Sequence, residues 1–352
     1  MNTLSLFNGM SVGRMALEAL GITGTYYSSE VDKYAIQASN ALYPDTVQLG
    51  DVTRWREWDI DWSSIDLVTG GFPCQAWSMA GEQLGDRDER GMLFWVMLDI
   101  MKHVKLHNPD ADFMIENVKM KKEFEQYITT HTENALGHVH KILINSALVS
   151  AQNRNRYYWT SFPVEQPKDR GILLKDIIEH DVDEKFELSA AKIDRVLNAK
   201  RGKGFFYDRS FGKIGTIIAE YGKLPTDAPY IKCGSMIGRK INPETGKRDD
   251  YNPNLKAEQR IEVRNDEKTG TLTTVQKDNL VISANKYRKL TPRECMRLQT
   301  IPEHHIDTLL GAGISNTQLY KMTGNAWTRE VVKHILNSIN KDNKNESSKR
   351  NN

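Results

Sequence analysis

Two hydrophobic periodicities alternate along the first half of the chain. Short apolar runs of strand character, Leu4 to Phe7 and Thr25 to Ser29, each lead into stretches of helical spacing, near Val12 to Leu20 and Asp32 to Leu42. Further strand-like runs follow at Ile65 to Thr69, Phe113 to Ile115 and Tyr157 to Trp159, and Ser161-Phe162-Pro163-Val164 closes the series. This alternation predicts an α/β fold, a doubly wound and mainly parallel sheet over residues 1–165.

Residues 170–287 break the rhythm. Gly and Pro recur, as at Gly202, Gly212, Pro225, Pro229, Gly234 and Pro253, and long helical patterns are scarce, which predicts a second, smaller, irregular and β-rich domain. Helical character returns at Thr291-Pro292-Arg293-Glu294, with Thr291 as N-cap, Pro292 as first helical residue and Glu294 as the capping-box acid. Residues 288–314 should link back to the first domain, completed by residues from about 315 to 339 that include a last helix near Arg329 to Ile339. The polar stretch 340–352 reads as a disordered tail.

Composition narrows the class. At 352 residues, 39% hydrophobic and 27% charged, the chain matches a soluble globular protein with one large or two ordinary domains. It shows no apolar run of bilayer length and begins with strand-like Leu4-Ser5-Leu6-Phe7 in place of a signal peptide, so a cytoplasmic location without membrane contact is expected. The three cysteines, Cys74, Cys233 and Cys295, lack metal-ligand spacing, so neither a disulfide framework nor a metal site is expected.

Candidate chemistry gathers where strands end. Gly70-Gly71-Phe72-Pro73-Cys74-Gln75 places a thiol in a tight turn after the Ile65 to Thr69 strand. Taken alone, such a cysteine is most often a small buried hydrophobe. Glu116 follows the run Phe113-Met114-Ile115, and Arg154 and Arg156 precede Tyr157-Tyr158-Trp159. The steps, 42 residues from Cys74 to Glu116 and 38 from Glu116 to Arg154, fit successive βα units converging on one rim of an open sheet. Individually, Glu116 also fits a helix N-terminal acid, and the arginines also fit a phosphate contact or an ion pair.

The ordered set Phe7-x-Gly9, Glu30, Asp51, Pro73-Cys74-Gln75, Glu116-Asn117-Val118, Gln152-x-Arg154-x-Arg156, Arg288 to Gln299 and Gly324-Asn325 resembles the DNA (cytosine-5)-methyltransferases. The likeness runs from residue 3 to about 336, and only 170–287 lacks strong motifs. Asn8 and Ser11 depart from the bacterial form, which has Asp or Ala and then Gly there, and look more like the animal de novo enzymes.

The resemblance implies a methyl transfer from S-adenosylmethionine to carbon 5 of a flipped-out cytosine. Cys74 would add to carbon 6, Glu116 would stabilise that addition at N3 and the 4-amino group, Arg156 would hold the 2-oxo group, and Arg154 would orient the site and the neighbouring acid. The base that takes the carbon-5 proton is not visible, and solvent is a candidate. For the cofactor, Glu30 would accept from both ribose hydroxyls and Asp51-Val52 would meet the adenine, with Phe7, Gly9, Pro73, Leu93, Asn325, Ala326 and Trp327 completing the pocket. Both carboxylates also fit helix caps.

A glycine-containing lid from Gln75 to Gly91 would close over the flipped base, with Gln75 or Ser78 filling the vacated position. Target recognition would fall to 170–287, where Gly270-Thr271-Leu272-Thr273 resembles the element ending such domains. Thr271 would then fix a phosphate, and Arg260 or Arg264 would read guanine edges, unless they are solvated hairpin arginines.

The net charge is only +2, yet residues 200–248 hold eleven Lys or Arg against four acids, a local balance of +7. Alone this would be a solvated face; beside such a catalytic domain it reads as a phosphate-contacting surface. The implied partners are double-stranded DNA and, in a restriction system, a cognate endonuclease, with the enzyme itself monomeric. A tRNA cytosine-5 methyltransferase of the same fold and a catalytically silent DNA-binding homologue are the alternatives; intact Cys74, Glu116 and Arg156 oppose the second.

Overall fold

A computed structural model of the chain describes residues 1–73, 89–187, 189, 232–245, 248–249, 252–264, 268–272, 279–283 and 286–350. The first half forms strands β1 (Asn2–Leu6), β2 (Tyr26–Ser29), β3 (Val47–Gln48), β4 (Ile65–Gly70), β5 (Asp112–Val118), β6 (His140–Asn145) and β7 (Asn155–Thr160). Helices α1 (Val12–Glu18), α2 (Lys33–Leu42), α3 (Glu89–His107) and α4 (Lys122–Leu136) are interleaved with them. The seven strands make one sheet in the order β3-β2-β1-β4-β5-β7-β6. Strands β1 to β5 run parallel, while β7 lies antiparallel between β5 and β6.

Period-two alternation sends neighbouring residues of the central strands to opposite cores. Val68, Phe113, Ile115 and Trp159 join α3, whose Phe94, Met97, Met101 and Val104 are buried. Leu67, Met114 and Tyr158 face the other way, onto Ala16 and Leu17 of α1 and onto α8 (Arg329–Arg350). Both faces are therefore covered, and this is why β1 and β4 read as nearly unbroken buried runs.

Three further helices, α5 (Pro292–Leu298), α6 (Glu303–Gly311) and α7 (Asn316–Asn325), pack with α1 and α2 around Met15, Ala38, Met296, Ile306 and Leu319. The capping box that opens α5 forms as the sequence predicts: Thr291 Oγ1 accepts from the Glu294 amide at 3.1 Å, and Glu294 Oε2 accepts from the Thr291 amide at 2.8 Å.

The described part of 170–287 contributes a second sheet. Strands β8 (Lys232–Arg239), β9 (Glu258–Arg264), β10 (Leu280–Ser283) and β11 (Lys286–Lys289) pair antiparallel in the order β11-β10-β8-β9.

The structure departs from the sequence reading in three places. Strand β5 continues through Val118, so Glu116 lies within a strand, opposite Tyr158 of β7. Arg154 precedes, and Arg156 lies near the start of, β7, a strand of reversed direction. The beginning of antiparallel β7 meets the ends of the parallel strands, so the arginines reach the expected rim without a successive βα unit. Helix α8 continues past the expected end at Ile339 to Arg350, where a tail without order is expected. Its apolar positions stop at Ile339, and nothing from 340 to 350 is Gly or Pro to end the helix.

Candidate active site

Strand order reverses between β1 and β4, and in an open α/β sheet a crevice forms at such a point, beyond the carboxyl ends of the strands. A cavity of about 550 Å³ lies there, lined by Phe7 to Met10 after β1, Glu30 after β2, Asp51 and Val52 after β3, and Gly71 to Pro73 after β4. Glu116, Arg154, Arg156, Leu93, Asn325, Ala326 and Trp327 line the same cavity. Every expected cofactor-pocket residue and three of the four expected catalytic ones are thus gathered into one space. Cys74, Gln75, Ser78 and the proposed lid as far as residue 88 lie outside the described residues; Pro73, directly before Cys74, is on the cavity wall.

The turn after β1 is held open by backbone geometry. Phe7, Gly9 and Ser11 all take left-handed φ values, 56°, 57° and 64°, a conformation that costs a residue with a side chain energy and is found where function requires it. Asn8 fixes the turn, donating from Nδ2 to Ser11 Oγ at 2.9 Å and accepting at Oδ1 from the Tyr26 hydroxyl at 3.1 Å. Burial, chiefly, pushes the Tyr26 phenol up to about 12, keeping its proton for this bond. The two departures from the bacterial pattern are therefore partners: Asn8 and Ser11 bond each other.

Glu30 sits at the end of β2 and accepts three backbone amides, from Gly9 at 2.8 Å on Oε2 and from Val31 and Asp32 at 2.8 and 2.9 Å on Oε1. A carboxylate offers about four lone-pair directions, so it braces the turn and keeps acceptor capacity toward the cavity. Asp51 does cap the following turn, but both bonds, from the Thr53 amide and hydroxyl, fall on Oδ1, leaving Oδ2 without a partner among the described residues. For Asp51, cap and ligand contact are compatible; Glu30 caps no helix, because Asp32 is the N-cap of α2.

Glu116 is buried, 8% exposed, and both its oxygens are engaged. Arg156 Nε meets Oε1 at 2.9 Å, while the indole Nε1 of Trp327 donates to Oε2 at 3.1 Å. Space for this arrangement comes from Gly71, where a Cβ would stand 2.9 Å from Glu116 Oε2 and 3.1 Å from the indole nitrogen. Asn117 ties the same strand end to β4, donating from Nδ2 to the Phe72 carbonyl at 3.2 Å.

Arg154 holds the cavity wall through backbone carbonyls. It is 3% exposed and donates to three carbonyls, those of Leu272, Gly324 and Ala326, at 3.1, 3.2 and 2.9 Å. The partner of the neighbouring acid is Arg156; Arg154 instead clamps the chain on either side of Asn325. Thr271 directs its hydroxyl proton to the Asn153 carbonyl at 2.8 Å. Strand β9 carries both candidate readers: Arg260 is opposite Ile237, with its side chain outside the described residues, and Arg264 is opposite Cys233.

Gln152 and Gln299, both members of the ordered motif set, lie in the buried hub beneath the site. Gln152 Oε1 accepts from the Leu272 amide at 2.7 Å, Gln299 Nε2 donates to the Thr323 carbonyl at 2.8 Å, and Thr328 Oγ1 donates to Gln299 Oε1 at 2.9 Å. Their zero exposure has no sequence signal beyond the motif itself. Cys295 is buried as well, and burial first, with Glu294 nearby, pushes its thiol far up, which keeps it protonated and inert.

A family model described as C-5 cytosine-specific DNA methylase matches residues 1–341. The type II methyltransferase M1.ScrFI of Lactococcus lactis subsp. cremoris is 30% identical over 346 residues, which span 92% of this chain and 74% of that protein. The type II methyltransferase M.HpaII of Haemophilus parainfluenzae is also 30% identical, over 92% of this chain and 84% of its own. A solved structure of a Spodoptera frugiperda DNMT2 mutant shares the fold, with a TM-score of 0.59 over 96% of this chain and 98% of that one at 18% identity. Its own site geometry and a family match over nearly its whole length agree: the chain belongs to the C-5 cytosine-specific DNA methylases.

Proposed function

We propose that this methyltransferase takes its methyl group from S-adenosylmethionine and delivers it to carbon 5 of a cytosine extruded from double-stranded DNA. The observation that carries the reading is one cavity with two kinds of polar wall. Glu30 and Asp51 present carboxylates on the β2 and β3 side, and Glu116 with Arg156 stands on the β5 and β7 side. A nucleoside-bearing cofactor suits the first wall, since vicinal hydroxyls donate and carboxylates only accept. S-adenosylmethionine, when bound, supplies an electrophilic methyl group.

At the second wall a pyrimidine meets complementary groups. Cys74 adds through its thiolate to carbon 6, and the electron pair of the ring double bond moves toward N3. Glu116 stabilises that charge by sharing a proton with N3 and accepts from the 4-amino group. Arg156 reaches the 2-oxo group; among the described residues its Nη2 has no partner. Carbon 5 is thereby made nucleophilic. After methylation its proton leaves to solvent, the double bond re-forms, and the Cys74 thiolate is expelled.

Residues 170–287 serve target recognition, supported by the basic excess at 200–248 and by the separate antiparallel sheet β8 to β11. The type II names of the relatives favour a role beside a restriction endonuclease, whereas relatives such as the orphan methyltransferase M.SPRI of Bacillus phage SPR act under another label. Bisulfite sequencing of DNA from cells expressing the protein, with tRNA sequenced in parallel, tests the reading. Methylated cytosines at one recurring DNA sequence are expected. Unmodified DNA alongside methylated tRNA would overturn it.

A further inference from the structure

We infer that Trp327 is a positioning residue for the base-activating carboxyl, acting through its indole N–H. The inference rests on the assignment of Glu116 to the cytosine ring.

A glutamate side chain has three torsions, and a carboxyl that must meet N3 and an amino group at once has to be held in one plane. Arg156 holds Oε1 from one side at 2.9 Å and Trp327 holds Oε2 from the other at 3.1 Å. The indole is itself immobilised. Its ring fills a slot between two glycines, since a Cβ on Gly13 would lie 3.3 Å from Cζ3 and one on Gly71 would lie 3.1 Å from Nε1. Arg154 pins the backbone before it through the Gly324 and Ala326 carbonyls, and Thr328 pins the backbone after it by bonding Gln299 and Ser146. The buried guanidinium of Arg154 thus bears on Glu116 through the turn and the indole.

Filling the slot needs only an apolar ring, which phenylalanine provides. Donating to Oε2 needs the N–H, and among aromatic side chains of this size only tryptophan carries one there.

The experiment measures the rate of covalent trapping on 5-fluorocytosine DNA and calorimetric affinity for S-adenosylhomocysteine, using the full chain. Trp327→Phe should slow trapping about tenfold or more, as befits one lost hydrogen bond to a charged group, and by a larger factor than it weakens the cofactor, whose cavity the ring also lines. In a Glu116→Gln background the same change should cost much less, because the group it positions is already gone. Should Trp327→Phe melt at a lower temperature, β-(3-benzothienyl)alanine at 327 keeps the bicyclic shape and replaces only N–H by sulfur. Parental trapping in both variants would overturn the inference, as would weakened cofactor binding with trapping unchanged, or full additivity with Glu116→Gln. If Glu116→Gln alone traps at the parental rate, the Glu116 assignment falls, and the role of Trp327 with it.

Discussion

The two sheets place their polar residues in opposite ways. In the first, parallel strands β1 to β5 bring residues at or just beyond their ends to a single rim, so Gly9, Glu30, Asp51, Gly71 and Glu116 share one cavity although 107 positions separate the first from the last. In the second, antiparallel strands β8 to β11 spread side chains along their faces, and pairs such as Arg239 and Glu262, bonded at 2.8 and 2.9 Å, neutralise each other across neighbouring strands. Convergence makes a residue's role a matter of where its strand ends. Without convergence, no single residue of the second sheet declares a role.

The strongest break between the regions comes from Cys74→Ala. Methyl transfer should fall to background while affinity for the preferred DNA, which the proposed reading assigns to the second region, stays within a few fold. Methylation kinetics together with a binding titration check this, and near-normal turnover would sink the thiolate mechanism. Glu116→Gln keeps the size of the side chain and loses the acid, so adduct formation should slow by about 10²–10⁴-fold, the usual reach of a positioned acid or base. Trapping on 5-fluorocytosine DNA reports that step directly.

Much of the first sheet was legible in the sequence because its evidence is local. Asp32 caps α2 where the pattern begins a helix, and Thr291, Pro292 and Glu294 open α5 as their order predicts. The direction of β7 was not legible: Tyr157-Tyr158-Trp159 has the same apolar character in a parallel or antiparallel strand, and only pairing with β5 and β6 decides. The partners of Arg154 were hidden for a similar reason. A guanidinium that binds backbone carbonyls 118 to 172 residues away leaves no trace in the types of those residues. For β8 and β9, the glycine of Cys233-Gly234-Ser235 and the charges of Glu258 to Arg264 mask strands that long-range pairing stabilises.

Within the rim, cofactor and base walls should separate by mutation. Glu30→Ala removes the proposed ribose acceptor, and the brace on Gly9, so S-adenosylhomocysteine should bind about 10–100-fold more weakly, the equivalent of roughly 1.5–3 kcal/mol for a charge-assisted bond. The preferred DNA sequence should not change, and unchanged affinity in calorimetry would remove Glu30 from that role.

On the second sheet the expected effect is smaller per base pair and different in kind. Arg260→Ala should weaken or relax recognition at one position by about 1–3 kcal/mol if the arginine makes a bidentate base contact. A uniform loss across sequences, with a shallower salt dependence, would make it a phosphate contact instead. Exchanging the whole of 170–287 with that of a related enzyme should carry the methylated sequence with it; a hybrid that keeps the original target would place specificity in the first region and erase the division of labour.

The smallest effect belongs to the clasp at the edge of the cofactor cavity, where Lys321 of α7 meets Asp32 Oδ2 at 2.6 Å. Burial alone would raise the Asp32 carboxyl, but the Lys321 bond, joined by the backbone amides of Tyr34 and Ala35, outweighs it and holds the group below the usual carboxylate range. A carboxyl depressed on folding contributes stability that is fully present above its unfolded value. That contribution is lost as pH falls through the folded one. Lys321→Met should therefore lower the melting temperature at pH 7 by a small amount, since a partly exposed pair contributes under about 1 kcal/mol. The gap should close as the solution is acidified through the range where Asp32 gains its proton, and raised salt at pH 7 should narrow it. A gap that persists in acid would mean that the lysine stem packs against the cavity edge and its charge does nothing for the fold.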